Sequence, residues 1–137
     1  MVRRSLLAVI LLLSANSSYA QLKITVANIK KDTGTILIAL YNSKDNFPNT
    51  NEAYKVGRVK IKKKQAVFIF EKLISGEYAI ALFHDQNDNN KLDKSDFGLP
   101  KEPYGFSNDA KGMFGPPSFK KAKFNYNGKP LEIVVSL

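Results

Sequence analysis

Apolar and polar residues alternate along most of this chain, and this period of two constrains the fold more than any other feature. The apolar residues of the first two such runs are Leu22, Ile24 and Val26, followed by Ile36, Ile38 and Leu40. Successive side chains of a β-strand point to opposite faces, so residues at this spacing line one face of a sheet. The alternation therefore predicts an all-β chain.

Turn signals predict how these strands are connected. Asp-Thr-Gly at residues 32–34, the lysine-rich turn at residues 63–65 and Asn-Gly at residues 127–128 each lie between two predicted strands. Each turn is predicted to close a hairpin. About seven strands with short connections favour an antiparallel β-sandwich, with a small barrel as the alternative.

Residues 77–85, Glu-Tyr-Ala-Ile-Ala-Leu-Phe-His-Asp, are apolar on both faces over most of their length, which is typical of a central strand. Tyr78 follows the turn glycine Gly76 by two residues. This spacing resembles the tyrosine corner of immunoglobulin-like and transthyretin-like sandwiches, in which the phenol bonds to backbone near the turn. Tyr78 is therefore predicted to be structural.

The N-terminus has the features of a secretory signal peptide. Arg3 and Arg4 precede an apolar run at residues 5–13 and the small-residue site Ser-Tyr-Ala at residues 18–20. The run is much shorter than the roughly 20 residues of a membrane-spanning helix. We expect residues 1–20 to be removed, leaving one domain of residues 21–137 in the periplasm or outside the cell, with no transmembrane segment.

The chain has no cysteine, so an exported domain must be stabilised by its core, by a bound metal or by both. Its net charge is +9. Runs of lysine at residues 60–64 and 120–123 can face anionic lipid, polysaccharide or nucleic acid, or simply line solvent and sheet edges. Export and the lack of a recognition motif argue against a nucleic-acid partner.

Oxygen-bearing side chains recur in the register of a 12-residue calcium loop that begins at Asp85. The residues at loop positions 1, 3, 5, 9 and 12, together with the carbonyl at position 7, are Asp85, Asn87, Asn89, Asp93, Asp96 and Lys91. Ca²⁺ takes six to eight oxygen ligands, so this register predicts a Ca²⁺ site. The alternative is an Asx-rich turn without an ion.

Two positions depart from the usual calcium loop. Position 6 is Asn90 in place of glycine, and asparagine is the residue that best tolerates a left-handed conformation after glycine. Position 12 is Asp96 in place of the longer, bidentate glutamate, which weakens the site or alters its geometry. Amphipathic helices do not flank the loop, so it is not predicted to be an EF-hand. Its Asp-x-Asn-x-Asn pattern resembles the calcium loops of dockerin and thrombospondin type 3 repeats.

A catalytic alternative depends on His84, the only histidine of the chain. A hydrolase or lyase would use His84 with Asp85 or Glu102, and would need that histidine exposed in a pocket within reach of the carboxylate. A structural histidine at a strand end is the simpler interpretation. Zinc is disfavoured, because a nitrogen and sulfur shell cannot be completed without cysteine or a second histidine.

Residues 97–119 form a long connection rich in glycine, proline and aromatic residues. Connections of this length without regular structure are uncommon and often functional. Tyr104, Phe106 and Phe114, with His84 and Glu102 nearby in sequence, are the candidate ligand-binding residues for a glycan, a peptide or an envelope protein. The alternative is that the aromatic residues cover one end of the sandwich.

Three motifs, His-Asp-Gln-Asn-Asp-Asn-Asn, Phe-Gly-Leu-Pro-Lys-Glu-Pro-Tyr-Gly-Phe-Ser-Asn and Phe-Gly-Pro-Pro-Ser-Phe, occur in this order after the predicted central strand. Together they resemble an exported bacterial family known only as domain of unknown function twenty-one forty-one. The resemblance extends over nearly all of residues 22–137 and implies export and a β-sandwich, with no established activity. The matching residues are His84, Asp85, Asn87, Asn89, Asp93, Gly98, Pro100, Glu102, Tyr104, Gly105, Phe106, Ser107, Asn108, Phe114, Gly115, Pro116, Pro117 and Phe119.

The sequence thus predicts an exported, Ca²⁺-stabilised β-sandwich that serves as a binding or accessory module of the cell envelope or extracellular space. The alternative from another class is the hydrolase or lyase that uses His84.

Overall fold

A computed structural model describes residues 20–137, so the predicted signal peptide lies outside the described residues apart from Ala20. This part of the chain has a one-turn helix, α1 (Phe119–Ala122), and 3-10 turns at Thr50–Glu52 and Ser107–Asp109. None of these helical segments in residues 20–137 has the length and apolar character that crossing a bilayer requires. The strands are β1 (Gln21–Ala27), β2 (Thr35–Tyr41), β3 (Lys55–Lys60), β4 (Ala66–Glu71), β5 (Gly76–Asp85), β6 (Tyr104–Phe106), β7 (Phe124–Tyr126) and β8 (Leu131–Ser136).

The strands form two sheets, which confirms the predicted all-β, sandwich-like fold. One sheet has the order β4-β1-β8, and the other has the order β3-β2-β5-β6, with β7 pairing with the start of β5. Both predicted apolar runs, on β1 and β2, are buried in the core between the sheets. Every strand pair is antiparallel except β1 and β8, which run parallel. The sequence predicts an antiparallel sandwich, and the fold departs from that prediction at this one pair.

The three predicted hairpins do not pair their flanking strands, although at the lysine-rich turn Lys62 and Gln65 form a single antiparallel bridge. β1 pairs with β4 and β8, while β2 pairs with β3 and β5, so the turn between β1 and β2 crosses from one sheet to the other. The same holds for the turns between β3 and β4 and between β7 and β8. A crossing turn lets the apolar faces of successive strands bury each other, whereas a hairpin would leave them side by side.

Strand β5 occupies the centre of the five-stranded sheet, as predicted. Its face with Tyr78, Ile80 and Leu82 lies in the core between the sheets. The Tyr78 hydroxyl donates a hydrogen bond of 2.6 Å to the carbonyl of Ile74, which confirms the predicted tyrosine corner. The opposite face, which includes Ala79, packs under a second apolar cluster on the outer side of the sheet.

The long connection after β5 contains more regular structure than predicted, because β6 and a 3-10 turn form within it. Ser107, which is fully buried, bridges the point where β5 changes partner from β6 to β7. Its hydroxyl accepts the N–H of Ile80 at 2.9 Å and donates to the carbonyl of Ala122 at 2.5 Å. Asn108 donates to the carbonyl of Lys123 at 2.8 Å, so these two side chains attach α1 to the sheet.

Candidate calcium loop and its surroundings

The predicted calcium loop begins where β5 ends, and Asp85 organises its first turn. The Asp85 side chain is fully buried. Its two carboxylate oxygens accept hydrogen bonds from the backbone N–H groups of Asn89, at 3.2 Å, and Asn90, at 2.8 Å. Asn90 has a φ of 64°, which confirms the predicted left-handed conformation at loop position 6.

Three of the predicted ligands converge at the next part of the loop. Asp93 accepts hydrogen bonds of 2.7 Å from the side-chain amides of both Asn89 and Asn87. These donors, that of Asn89 first, favour the ionised form and hold the pKa of Asp93 below its ordinary value. The loop therefore presents an ionised carboxylate flanked by two amides.

Glu102 joins the two sides of the loop at its base, where Gln86 and Asp93 lie. Its side chain is only 6 % exposed. One carboxylate oxygen accepts the N–H of Gln86 at 2.6 Å, and the other accepts the N–H of Asp93 at 3.0 Å. The register of the loop could not identify this contact, because Glu102 lies beyond the twelve positions and reaches them only through the pairing of β5 with β6.

The loop also bonds to the neighbouring strands through residues that the sequence analysis did not single out. The Thr35 hydroxyl on β2 donates a 2.7 Å hydrogen bond to Asp88, and Arg58 on β3 donates to the side chain of Asn90. Neither contact has a local sequence signal, because strand pairing alone places β2 and β3 beside the loop.

Among residues 20–137, no cationic side chain forms an ion pair with either buried carboxylate at this loop, Asp85 or Glu102. Both accept hydrogen bonds only from backbone N–H groups. The ion pairs in residues 20–137 are elsewhere, between Lys23 and Glu132 and between Lys123 and Glu77. Burying a carboxylate without an opposite charge is costly, and the two backbone hydrogen bonds to each group offset part of that cost.

Oxygen atoms are present at the predicted ligand positions, and Ca²⁺ binds through oxygen. An ionised carboxylate has about four lone-pair sites, so Asp85 retains acceptor capacity beyond its two backbone bonds. The amides of Asn87 and Asn89 direct their NH₂ groups toward Asp93, and the Asn89 oxygen accepts the N–H of Lys91 at 3.0 Å. The carbonyl of Lys91 accepts no hydrogen bond within the described part of the chain. Because these groups are oxygens, the set suits a hard cation.

The fit is incomplete at two points. Asp96 is exposed and contributes no hydrogen bond within residues 20–137. Within the same residues, no group of three or more His, Cys, Asp or Glu side chains is placed to hold a metal ion. A cation in this loop must therefore take part of its coordination from amide and carbonyl oxygens, which Ca²⁺ accepts.

His84 is buried and bonded to backbone. Its side chain has no exposed surface, and its Nε2 atom lies 2.6 Å from the carbonyl oxygen of Thr33. Alternation along β5 directs the side chains of His84 and Asp85 to opposite faces. The hydrolase or lyase alternative needs an exposed His84 beside a carboxylate in a pocket, and this arrangement does not provide it.

A sequence model of the bacterial family described as "Uncharacterized protein conserved in bacteria (DUF2141)" matches residues 24–134. The chain belongs to this family. The match confirms the resemblance seen in the three motifs. No curated protein and no solved structure matches the chain, so the immunoglobulin-like or transthyretin-like description of the sandwich stays a prediction.

The aromatic residues predicted to bind a ligand do not form one surface in this DUF2141 protein. Phe106 is buried and packs against Phe47, with ring centroids 6.0 Å apart. Tyr104 is 48 % exposed and meets Phe106 edge to face. Phe114 is fully exposed. Only Tyr104 and Phe114 therefore offer ring surface to a partner, while Phe106 belongs to the second apolar cluster.

Proposed function

We propose that this DUF2141 protein is an exported β-sandwich that binds Ca²⁺ in the loop between β5 and β6. It acts as a binding or accessory module of the cell envelope or extracellular space, in the periplasm or secreted. The observation that carries the calcium part is the pair of buried carboxylates, Asp85 and Glu102, which form no ion pair with any cationic side chain of residues 20–137. A divalent cation supplies the missing charge.

The cation has a structural role in this proposal. Its ligands are Asp85, Asn87, Asn89, the carbonyl of Lys91, Asp93 and Asp96. Binding to the folded state alone stabilises a protein by about 2.7 kcal/mol when the ion is present at a hundred times its dissociation constant. For a domain without disulfides that is a large share of the total stability.

Thermal unfolding of residues 21–137 with calcium and with chelator tests this role. About 2.7 kcal/mol corresponds to a rise in Tm of roughly 10 °C for a domain of this size. Asp85→Asn, which removes one buried charge without changing the shape of the side chain, should abolish the rise. Asp45→Asn, in the exposed segment after β2, is the matched control and should retain it. Equal Tm values in calcium and chelator would refute calcium binding.

Export and partner binding are tested separately. Expression of the full chain in a bacterium should yield a protein that begins at Gln21 and is released with the periplasmic or external fraction. A protein that retains its first residues inside the cell would contradict export. The exposed rings of Tyr104 and Phe114 are the candidate partner contacts of the long connection, and Tyr104→Ala with Phe114→Ala should weaken capture of an envelope partner without lowering Tm.

A further inference from the structure

A groove of about 600 Å³ lies at the end of β5 opposite the calcium loop. It is formed by the segment after β2, the start of β5 and α1. The side chains that define it are Lys44, Phe47, Glu77, Phe119, Lys120 and Lys123. Asp85 lies eight positions after Glu77 along β5, which is roughly 26 Å at the rise of a β-strand. The groove and the loop are therefore separate sites.

The floor of the groove is aromatic and fixed in position. The rings of Phe47 and Phe119 are half-buried, with centroids 5.9 Å apart. Phe47 also packs edge to face against Tyr41, at 5.1 Å, and against Phe106. A ring held on several sides does not have to be ordered when a ligand binds, which lowers the entropic cost of binding.

The rim of the groove is basic. Lys44 and Lys120 are exposed and form no ion pair within residues 20–137, whereas Lys123 is paired with Glu77. Three ammonium groups thus face one carboxylate, and two of the ammonium groups are uncommitted. The groove has the charge to attract an anion and a fixed apolar floor on which to hold it.

Neutral hydrogen-bonding groups complete the lining. The hydroxyls of Ser43 and Ser118 accept the backbone N–H groups of Asp45, at 3.1 Å, and Lys121, at 3.3 Å. Within the described residues neither hydroxyl donates, so each retains its proton for a ligand. The side-chain amide of Asn42 lines the same groove.

We infer that this groove binds a segment of an acidic polysaccharide whose sugar units carry carboxylates. The apolar face of a sugar ring packs on an aromatic ring, its hydroxyls pair with hydroxyl and amide groups, and its carboxylate pairs with ammonium groups. A lipid phosphate would use the lysines and leave the aromatic floor without a role. This inference rests on the binding-module part of the proposed function, and it is independent of calcium.

Calorimetric titration with a short oligogalacturonate tests the inference, with the neutral galactose oligomer of the same length as the reference ligand. We expect binding of the acidic oligomer only. Lys44→Gln with Lys120→Gln should weaken it roughly tenfold, because each exposed ion pair contributes modestly. Glu77→Gln should strengthen binding, since it frees Lys123 for the ligand. Increasing salt should weaken binding by the wild-type protein.

A charge-matched control separates a built site from general attraction. Lys31→Gln with Lys62→Gln removes the same charge at the calcium-loop end of the sandwich and should leave the affinity unchanged. Equal weakening by both double variants, or absence of binding, would overturn the proposal. So would groove-dependent binding to phosphatidylglycerol vesicles without binding to oligogalacturonate, which would assign the groove to lipid headgroups. Loss of the calcium-dependent rise in Tm with intact glycan binding would count against the calcium loop alone.

Discussion

Replacing Glu102 by glutamine should destabilise the domain far more than an ordinary change of glutamate to glutamine. The two carboxylate oxygens hold the N–H groups of Gln86 and Asp93 at the base of the loop. A glutamine amide retains one acceptor and turns an NH₂ group toward the second N–H. That partly buried N–H loses a hydrogen bond to a charged acceptor, at a cost of about 2 to 3 kcal/mol.

Calcium changes the size of this effect. With calcium bound, the charge of Glu102 is compensated. The substitution then costs the whole energy of the lost hydrogen bond, and Tm should fall by roughly 8 to 12 °C. In chelator, removing one of two buried negative charges relieves part of the electrostatic cost, so the fall should be smaller.

Circular dichroism melts of Glu102→Gln and of the exposed control Glu71→Gln measure this difference. Hydrogen exchange of the Gln86 and Asp93 amides gives a local readout, and both amides should exchange faster in Glu102→Gln. A Tm within a degree or so of the control, or unchanged exchange at both amides, would show that Glu102 does not close the loop.

Further predictions concern the frame around the loop. Ser107→Ala should lower stability by about 2 to 4 kcal/mol in denaturant titration, because the carbonyl of Ala122 and a sheet N–H lose their partner; Ser75→Ala is the exposed control. Gly34→Ala should cost at least about 2 kcal/mol, since φ is +85° and a Cβ would lie 2.4 Å from the carbonyl of Asp85; a normal Tm would contradict this packing. The pKa of Asp93 is lower in the folded protein than its ordinary value of 3.8. Its contribution to the free energy of unfolding is therefore complete above pH 3.8 and is lost as the pH falls through the pKa of the folded state. Melts between pH 6 and 2 should show a larger acid loss of stability in wild type than in Asp93→Asn, and identical profiles would contradict this contribution.

The sequence predicts strands and their faces well and predicts strand partners poorly. The period of two on β1 and β2 marks the face of each strand that is buried. The apolar residues of both runs lie in the core as predicted. The turn at residues 32–34 indicates a reversal of the chain. Whether the reversal closes a hairpin or crosses between sheets depends on where the other strands supply an apolar face, which no local pattern contains.

In the candidate site too, local conformation is predicted from the sequence and contacts that depend on strand pairing are not. Asn90 has the left-handed conformation that the loop register predicts, because that conformation is set within a few residues. Glu102 and Phe106 have roles that depend on the pairing of β6 with β5. Alternation places Tyr104 and Phe106 on the same face of β6. Phe106 is buried because Phe47 packs against it, whereas Tyr104, at the start of the strand, is 48 % exposed.

Calorimetric titration of calcium into residues 21–137 tests the central claim most directly. We predict one Ca²⁺ ion bound per chain, binding abolished by Asp85→Asn and strongly weakened by Asp93→Asn, and unchanged binding in Asp45→Asn. Absence of binding heat together with an unchanged Tm in calcium would contradict the claim, as would equal affinity in all three variants.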